Sequence, residues 1–420
     1  MQVFKFGGAS VNSVERVKNL AQVLRQYSNE NILVVISAMG KTTNALEKVV
    51  DAFYSGKKEE SLQLFEQVKQ QHTNTAKYLL VTHYLACEEQ LKNFFTEAEW
   101  LLHDKPVRDY DYYYDQVVCV GELLSTAIVS HYLEETGIKN KWVDVRDIFR
   151  TDDNFRDAVI DWEVTGSKVL DSVVPLFNEQ SIVLTQGFIG ATDENESTTL
   201  GREGSDYTAA VFANLLDAES LSIWKDVPAI MNADPKFFPD AIQIHELNYD
   251  EIIEMAYYGA QVIHPKTIKP LQNKNIPLYV KCFLDPSLPG TFIHNRSVKG
   301  LPPIIVVKDK QVMLELISKD FSFVEEKPIA ELFHLFEKLK IKPNLTQNGA
   351  ISMICVLDDR ADKIEKLALE ASAIFDVKLT RELSLLTIRH YTKDSYEKLS
   401  AGKKTLLQQR TVDTVQALLQ

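Results

Sequence analysis

Two glycine-bearing turns in this 420-residue sequence carry side chains suited to phosphate and carboxylate chemistry. The first, Lys5-Phe6-Gly7-Gly8-Ala9-Ser10, follows a short apolar run and precedes Val14, Val17, Leu20, Val23 and Leu24 at helical spacing. A strand end that meets a helix start offers unpaired backbone N–H groups and the positive end of the helix dipole, both of which attract anions. Glycine lets phosphate oxygens approach the backbone there, and Lys5 adds a full charge. Gly7-Gly8 taken alone reads equally as a tight strand–helix turn beside a solvated lysine. The pattern is neither a Walker A loop nor a GxGxxG fingerprint. The second turn is Thr199-Leu200-Gly201-Arg202-Glu203-Gly204-Ser205-Asp206-Tyr207, set ahead of an apolar helix. Ser205 can cap that helix, Arg202 offers a planar fork to a carboxylate, and Asp206 can hold Mg2+ or orient a lysine. The plainer alternative is a capped turn with Arg202 and Asp206 as a surface pair.

The elements that must position these turns follow an alternating pattern. Gln2 to Phe6 and Asn31 to Ile36 read as strands, the second apolar throughout and suited to burial on both faces. Each leads through a turn, Gly7-Gly8 or Ser37-Ala38-Met39-Gly40, into a helix. Residues 57–103 contain neither glycine nor proline after Lys57 until the chain reaches His103, and they read as a helical hairpin inserted between strands and able to cap a cleft. Strands at Ser181 to Thr185, Leu221 to Trp224 and Ile276 to Val280, and helices at Tyr207 to Leu215 and Tyr249 to Tyr258, complete an α/β pattern with a mostly parallel sheet. Proline and glycine at 285–290 and 300–303 mark a boundary. Beyond it the order strand, helix, strand, strand, helix, strand over 304–380 is that of a ferredoxin-like module. A partial second copy is expected over 381–420, with a helix at Val412 to Leu419.

Composition excludes some classes. Asp and Glu number 59 against 46 Lys and Arg, a formal net charge of -13, which repels nucleic acid. No apolar run reads as a membrane span and the opening residues lack a signal-peptide pattern, so a cytoplasmic protein without membrane partners is expected. Four scattered cysteines, Cys87, Cys119, Cys282 and Cys355, read as reduced thiols.

Further motifs join the two turns: Ser37-Ala38-Met39-Gly40-Lys41-Thr42-Thr43-Asn44, Gly121-Glu122, Gln186-Gly187-Phe188-Ile189-Gly190, Trp224-Lys225-Asp226-Val227, Ala233-Asp234-Pro235-Lys236 and Gly259-Ala260-Gln261-Val262-Ile263-His264-Pro265. In order and spacing the set resembles the aspartokinases over residues 1 to about 295. The resemblance implies a three-layer α/β/α amino-acid-kinase catalytic domain at 1–295, with 57–103 as its helical insert, followed by an ACT-like region at 304–420. It implies ATP-dependent phosphorylation of the L-aspartate side chain, with Lys5 and Asp206 as catalytic residues. Gly7, Gly8 and Ser10 would line the phosphate path, and Lys225, Asp226, Met231, Lys236 and Gln261 the nucleotide side. The aspartate pocket would fall on Ser37, Thr43, Glu122, Phe188, Arg202 and Ser205, with Arg202 on a carboxylate and Glu122 on the α-ammonium group. Mg2+ would bind mainly through ATP, with no site made by the protein alone. A homodimer through the ACT-like region is implied.

The sequence departs from the family pattern at Ala9, Glu203 and Lys225, and more on the adenine side, at Met231, Lys236 and Gln261, where Lys266 is the candidate to compensate. His264 reads as a structural hydrogen-bonding residue before Pro265, and Tyr110 to Tyr114 as a packed cleft wall or interface. The segment Ser318 to Pro328 contains no glycine where related enzymes build effector sites, so weak or absent lysine and threonine feedback is expected. A sibling kinase for glutamate, N-acetylglutamate or a nucleoside monophosphate is disfavoured by the helical insert, the arginine-serine-aspartate turn and the ACT-like tail. A non-catalytic amino-acid sensor is disfavoured by the retention of Lys5, Glu122, Arg202 and Asp206.

Overall fold

The opening strand β1 (Gln2–Phe6) and its neighbour β2 (Ile32–Ile36) are apolar and almost wholly buried because helices cover both faces of the sheet they begin. In the computed structural model that sheet continues with β3 (Lys141–Val143), β4 (Ile182–Gln186), β5 (Ser220–Lys225), β6 (Glu246–Asn248), β7 (Leu278–Cys282) and β8 (Thr291–His294). Its order is β6-β8-β7-β5-β1-β2-β4-β3, and only the β7–β8 pair among these is antiparallel. β1 therefore sits centrally, with Lys5 in register with Val35 on one side and Ile223 on the other. The structure describes residues 1–27, 30–319 and 326–420.

The described chain divides into two compact units, one comprising Met1–Ile230, Gln243–Ile253 and Val262–Val298, the other Met231–Ile242, Glu254–Gln261 and Lys299–Gln420. The first is a three-layer α/β/α unit. Its helices include α1 (Val14–Arg25), α2 (Thr42–Tyr54), α3 (Lys58–Leu79), α4 (Tyr84–His103), α5 (Tyr110–Glu135), α6 (Gly204–Leu215) and α7 (Pro265–Lys274). Ser13 caps α1 by accepting a hydrogen bond from the Arg16 amide. The inserted hairpin α3–α4 packs on α2 and α5, and Ser61 Oγ anchors it by donating to the Val49 carbonyl at 2.9 Å. Helix α5 is long and apolar enough to cross a membrane by length and composition, which the sequence reading overlooked, yet 83% of that window is buried inside the protein. It is the core helix of this unit.

The second unit contains a six-stranded antiparallel sheet of β9 (Ile304–Ser318), β10 (Leu345–Asn348), β11 (Ser352–Asp358), β12 (Phe375–Arg389), β13 (Thr405–Arg410) and β14 (Thr414–Leu419), in the order β10-β11-β9-β12-β14-β13. With α8 (Glu326–Lys338) and α9 (Ala361–Ala371), the run β9 to β12 has the ferredoxin-like order, closed by a core that includes Leu332, Phe336, Ile364 and Leu367. Two expectations are corrected. First, the chain makes no break at 380/381: β12 runs unbroken past that point, and β9 and β12 pair along 15 residues each, with register shifts near Gln311. The shifts let one pair of strands serve both halves of the sheet, which explains how the second half forms from so little extra chain. Second, 414–419 is a strand and not a helix, because pairing with β12 buries Val415, Ala417 and Leu419. The helix of that half is α10 (Lys393–Ser400), begun by a capping box between Thr392 and Ser395. Of the glycine-free segment Ser318 to Pro328, residues 320–325 lie outside the described residues.

Candidate active site

Three loops at the strand ends of the first unit come together through glycines that admit no side chain. A Cβ on Gly8 would lie 2.6 Å from the Ala38 carbonyl oxygen, and the Gly40 amide donates to the Gly8 carbonyl at 3.0 Å. This seats the loop after β1 on the loop after β2. At the third loop a Cβ on Gly187 would fall 2.6 Å from that of Ser205, and one on Gly204 would fall 2.7 Å from the Phe188 ring. The loop after β4 is thereby pressed onto the start of α6. Gly121 does the same on α5, where the nearest neighbours of an added Cβ are Leu46, Thr42 and Ala38, so Glu122 is carried into the same space.

The result is a cleft of about 660 Å³ lined by Lys5, Gly7, Gly8, Ser10, Ser37, Thr43, Glu122, Phe188, Arg202, Ser205, Asp206, Lys225 and Asp226 among others. Lys5, 9% exposed, points its Nζ at Asp206 Oδ1, 2.6 Å away. Burial pushes the Asp206 carboxyl up, but Lys5 and then Lys225 outweigh it and hold the group below its ordinary pKa. Lys225 is tethered by donating to the Val262 carbonyl. Glu122 is the opposite case. Burial drives its pKa up to about 8 in spite of the nearby Lys5 charge, and Oε2 has no hydrogen-bond partner among the described residues. A carboxyl in this state is short of a cation. Arg202 is exposed in the cleft and makes no ion pair or hydrogen bond with any described residue. One pocket thus holds an oriented lysine, an uncommitted guanidinium and an unsatisfied acid.

Several assignments change. Ser205 does not cap α6: the helix starts at Gly204, its N-cap is Glu203 in the left-handed region (φ 54°), and Ser205 and Asp206 lie in the first turn. Their backbone N–H groups therefore belong to the helix N-terminus that faces the cleft. Glu203 is fastened by accepting from the His264 amide at 3.0 Å, and His264 Nδ1 caps α7 by accepting from the Lys266 amide at 3.2 Å. Met231, Lys236 and Gln261 are not among the lining residues, which all come from the first unit; all three belong to the second, because the chain leaves the first unit after Ile230. Lys266 Nζ, the candidate to compensate, is engaged by Asp157 Oδ1 at 3.1 Å and the Leu200 carbonyl at 3.0 Å. No residue of the 57–103 insert lines the cleft, so the hairpin buttresses α2 and α5 and does not cap the pocket.

Asp115 and Arg156 carry no site assignment in the sequence reading, whereas Tyr114 belongs to the segment read as a cleft wall or interface and Thr199 opens the second glycine-bearing turn. Tyr114, Arg156 and Thr199 line the cleft, while Asp115, fully buried, accepts from Thr199 Oγ1 and the Thr199 amide, both at 2.7 Å. A signal was present: Asp115 and Glu122 are two acids seven residues apart, hence on one face, in an otherwise apolar stretch of helix.

Residues 1–282 match the model of the amino acid kinase family. The chain is 32% identical to chloroplastic aspartokinase 2 of Arabidopsis thaliana, over 92% of this chain and 73% of that protein. It is 31% identical to the lysine-sensitive aspartokinase 3 of Escherichia coli K12, over 92% of this chain and 86% of that one. The solved structure of E. coli aspartokinase III in complex with aspartate and ADP superposes with a TM-score of 0.83 at 27% identity, covering 100% of this chain and 96% of that chain. With its fold, its cleft and these relatives in agreement, the chain belongs to the amino acid kinase family and, within it, to the aspartokinases.

Proposed function

We infer that this enzyme transfers the γ-phosphoryl group of ATP to the side-chain carboxylate of L-aspartate, giving 4-phospho-L-aspartate for lysine, threonine and methionine synthesis. The observation that carries this reading is the Lys5–Asp206 pair, 2.6 Å apart, in the same cleft as the uncommitted Arg202 and the buried Glu122. Aspartate offers one ammonium and two carboxylates. Glu122 receives the ammonium, Arg202 receives the carboxylate that does not react, and the other carboxylate is left facing Lys5. Ser37, Thr43, Phe188 and Ser205 shape the acceptor's pocket.

An aspartate carboxylate is ionised at neutral pH and attacks without a general base, so the protein's task is alignment and charge neutralisation. Lys5 stabilises the equatorial oxygens of the transferring group, and Asp206 holds the lysine ammonium in place. Backbone N–H groups around Gly7-Gly8 and at the start of α6 add fixed dipoles along the in-line path. Ser10, Lys225 and Asp226 serve the nucleotide side. A Mg2+ ion brought mainly by ATP itself would neutralise charge on the phosphates as ADP departs. The second unit is assigned to homodimerisation, which light scattering on the full chain reads directly.

The test is ADP release with L-aspartate, L-glutamate or UMP as acceptor. Turnover with aspartate alone is the expected result; turnover with glutamate or UMP in its place overturns the assignment.

A further inference from the structure

The cleft contains a second arginine, Arg156, that the mechanism above does not use. It resides in the left-handed region, φ 71°, which disfavours any residue with a Cβ and is held only where surrounding structure imposes it. What imposes it here is Asp115. Oδ2 of this fully buried carboxylate accepts from the Arg156 amide at 3.0 Å and from the Thr199 amide at 2.7 Å, and Oδ1 accepts from Thr199 Oγ1 at 2.7 Å. One acid thereby ties together two chain segments that both line the cleft. The Ala158 amide, which donates to the Thr199 carbonyl at 3.0 Å, locks the same junction.

The guanidinium packs against the aromatic side of the cleft. Its Cζ lies 4.5 Å from the centre of the Tyr114 ring, itself part of the cleft wall, and 5.6 Å from that of Tyr110. Nη1 pairs with Asp111 at 2.9 Å, but the two side chains are 42% and 54% exposed, so the pair is weak and leaves the other N–H donors of the fork available. Asp111, Asp115 and Glu122, at spacings of four and seven, run along one face of α5. Asp115 thus holds the Arg156 backbone about 10 Å along α5 from the proposed ammonium acceptor, a span that a long arginine side chain and a bound amino acid cover together.

Charge counting points the same way. Lys5 is committed to Asp206, and Lys225 to the Val262 carbonyl. The remaining cations of the lining are Arg202 and Arg156. A carboxylate has about four lone-pair sites and can accept from two guanidinium groups at once. Building on the aspartate kinase reading, we propose that Arg156 is a further specificity-determining residue. Together with Arg202 it recognises the α-carboxylate of the acceptor, and Asp115 is the positioning residue that holds it there.

The test compares L-aspartate with its α-amide, which keeps the ammonium and the reacting carboxylate but lacks the α charge, in turnover assays and in calorimetric binding. Arg156→Ala should raise KM and Kd for aspartate about tenfold, the weight of one charge-assisted hydrogen bond, with kcat nearly unchanged and the α-amide unaffected. Arg156→Lys should recover part of that preference. Asp115→Asn should lower the same acid-to-amide ratio in protein that still melts cooperatively, a change that mere loss of stability would not produce. If Arg156→Ala shifts both acceptors equally, or neither, the inference falls. A wild type that binds aspartate without releasing ADP would sink the kinase reading, while the binding ratio would still decide the role of Arg156. A wild type that does not bind aspartate would sink both.

Discussion

Lys5 and Asp206 surrender nearly all contact with water when the chain folds, their side chains being 11% and 6% exposed. A buried ion pair is rarely the most stable filling for such a space, because desolvation offsets most of the attraction. Its presence is better explained by chemistry than by stability, and that has a measurable consequence. Asp206→Ala should cost about 3 kcal/mol by leaving the lysine charge uncompensated, whereas replacing both partners, Lys5→Met with Asp206→Leu, should recover most of that loss and no activity. Urea unfolding with a parallel kinase assay reads both, and a double variant as unstable as the single would contradict this view. Glu122 makes a second prediction. Its folded-state pKa, about 8, lies above its ordinary 4.5, so its contribution to stability is complete below pH 4.5 and is lost as pH rises through about 8. The carboxylate that binds an ammonium is the form gained over the upper part of that window. KM for aspartate should therefore fall as pH is raised from 6 towards about 8, the folded pKa, where the fall should level off, and Glu122→Gln should flatten that profile. A wild-type profile already flat across the range would remove Glu122 from the ammonium site.

Among the elements, the glycines set the tolerances. Gly8, Gly187 and Gly204 each stand where a Cβ would come within 2.6 to 2.7 Å of a neighbouring loop or helix. Gly8→Ala must push the loop after β1 away from the Ala38 carbonyl, at a cost of about 1–3 kcal/mol. Both substrates should suffer, since that loop carries the phosphate path and the neighbouring one carries Ser37. Denaturant unfolding and KM values for ATP and aspartate check this; an unchanged enzyme would mean the loops are not in contact. The same elements show what the sequence could disclose. Strands such as β2 and helices such as α1 announced themselves by buried apolar runs and by 3.6-residue spacing. The start of α6 did not, because its first turn contains Gly204, Ser205 and Asp206, residue types that read as loop until packing against Phe188 and the Lys5 charge fix them in a helix. The strand at 414–419 was mistaken for a helix because only its pairing with β12 reveals which residues are buried. Asp115 was passed over because its three hydrogen bonds reach segments some 40 and 84 residues away, a separation no local pattern encodes.

For the molecule as a whole, the division of labour follows the division of the chain. Every residue lining the cleft comes from the first unit, and the second is built on an antiparallel sheet with the ferredoxin-like order. The E. coli relative is named for its sensitivity to lysine; here the glycine-free stretch Ser318 to Pro328 leads us to expect little response. Turnover at saturating ATP should be unchanged by lysine or threonine at low millimolar concentration, and strong inhibition by either would contradict that. In the proposed reaction Lys5 and Arg202 serve opposite ends of one phosphoryl transfer. The most direct measurement is the steady-state comparison of Lys5→Ala with Arg202→Ala. Lys5→Ala should lower kcat by about 10²- to 10³-fold with little change in KM for aspartate, while Arg202→Ala should act chiefly by raising that KM. Unchanged turnover in Lys5→Ala, or an Arg202→Ala enzyme that binds aspartate as tightly as the wild type, would contradict it.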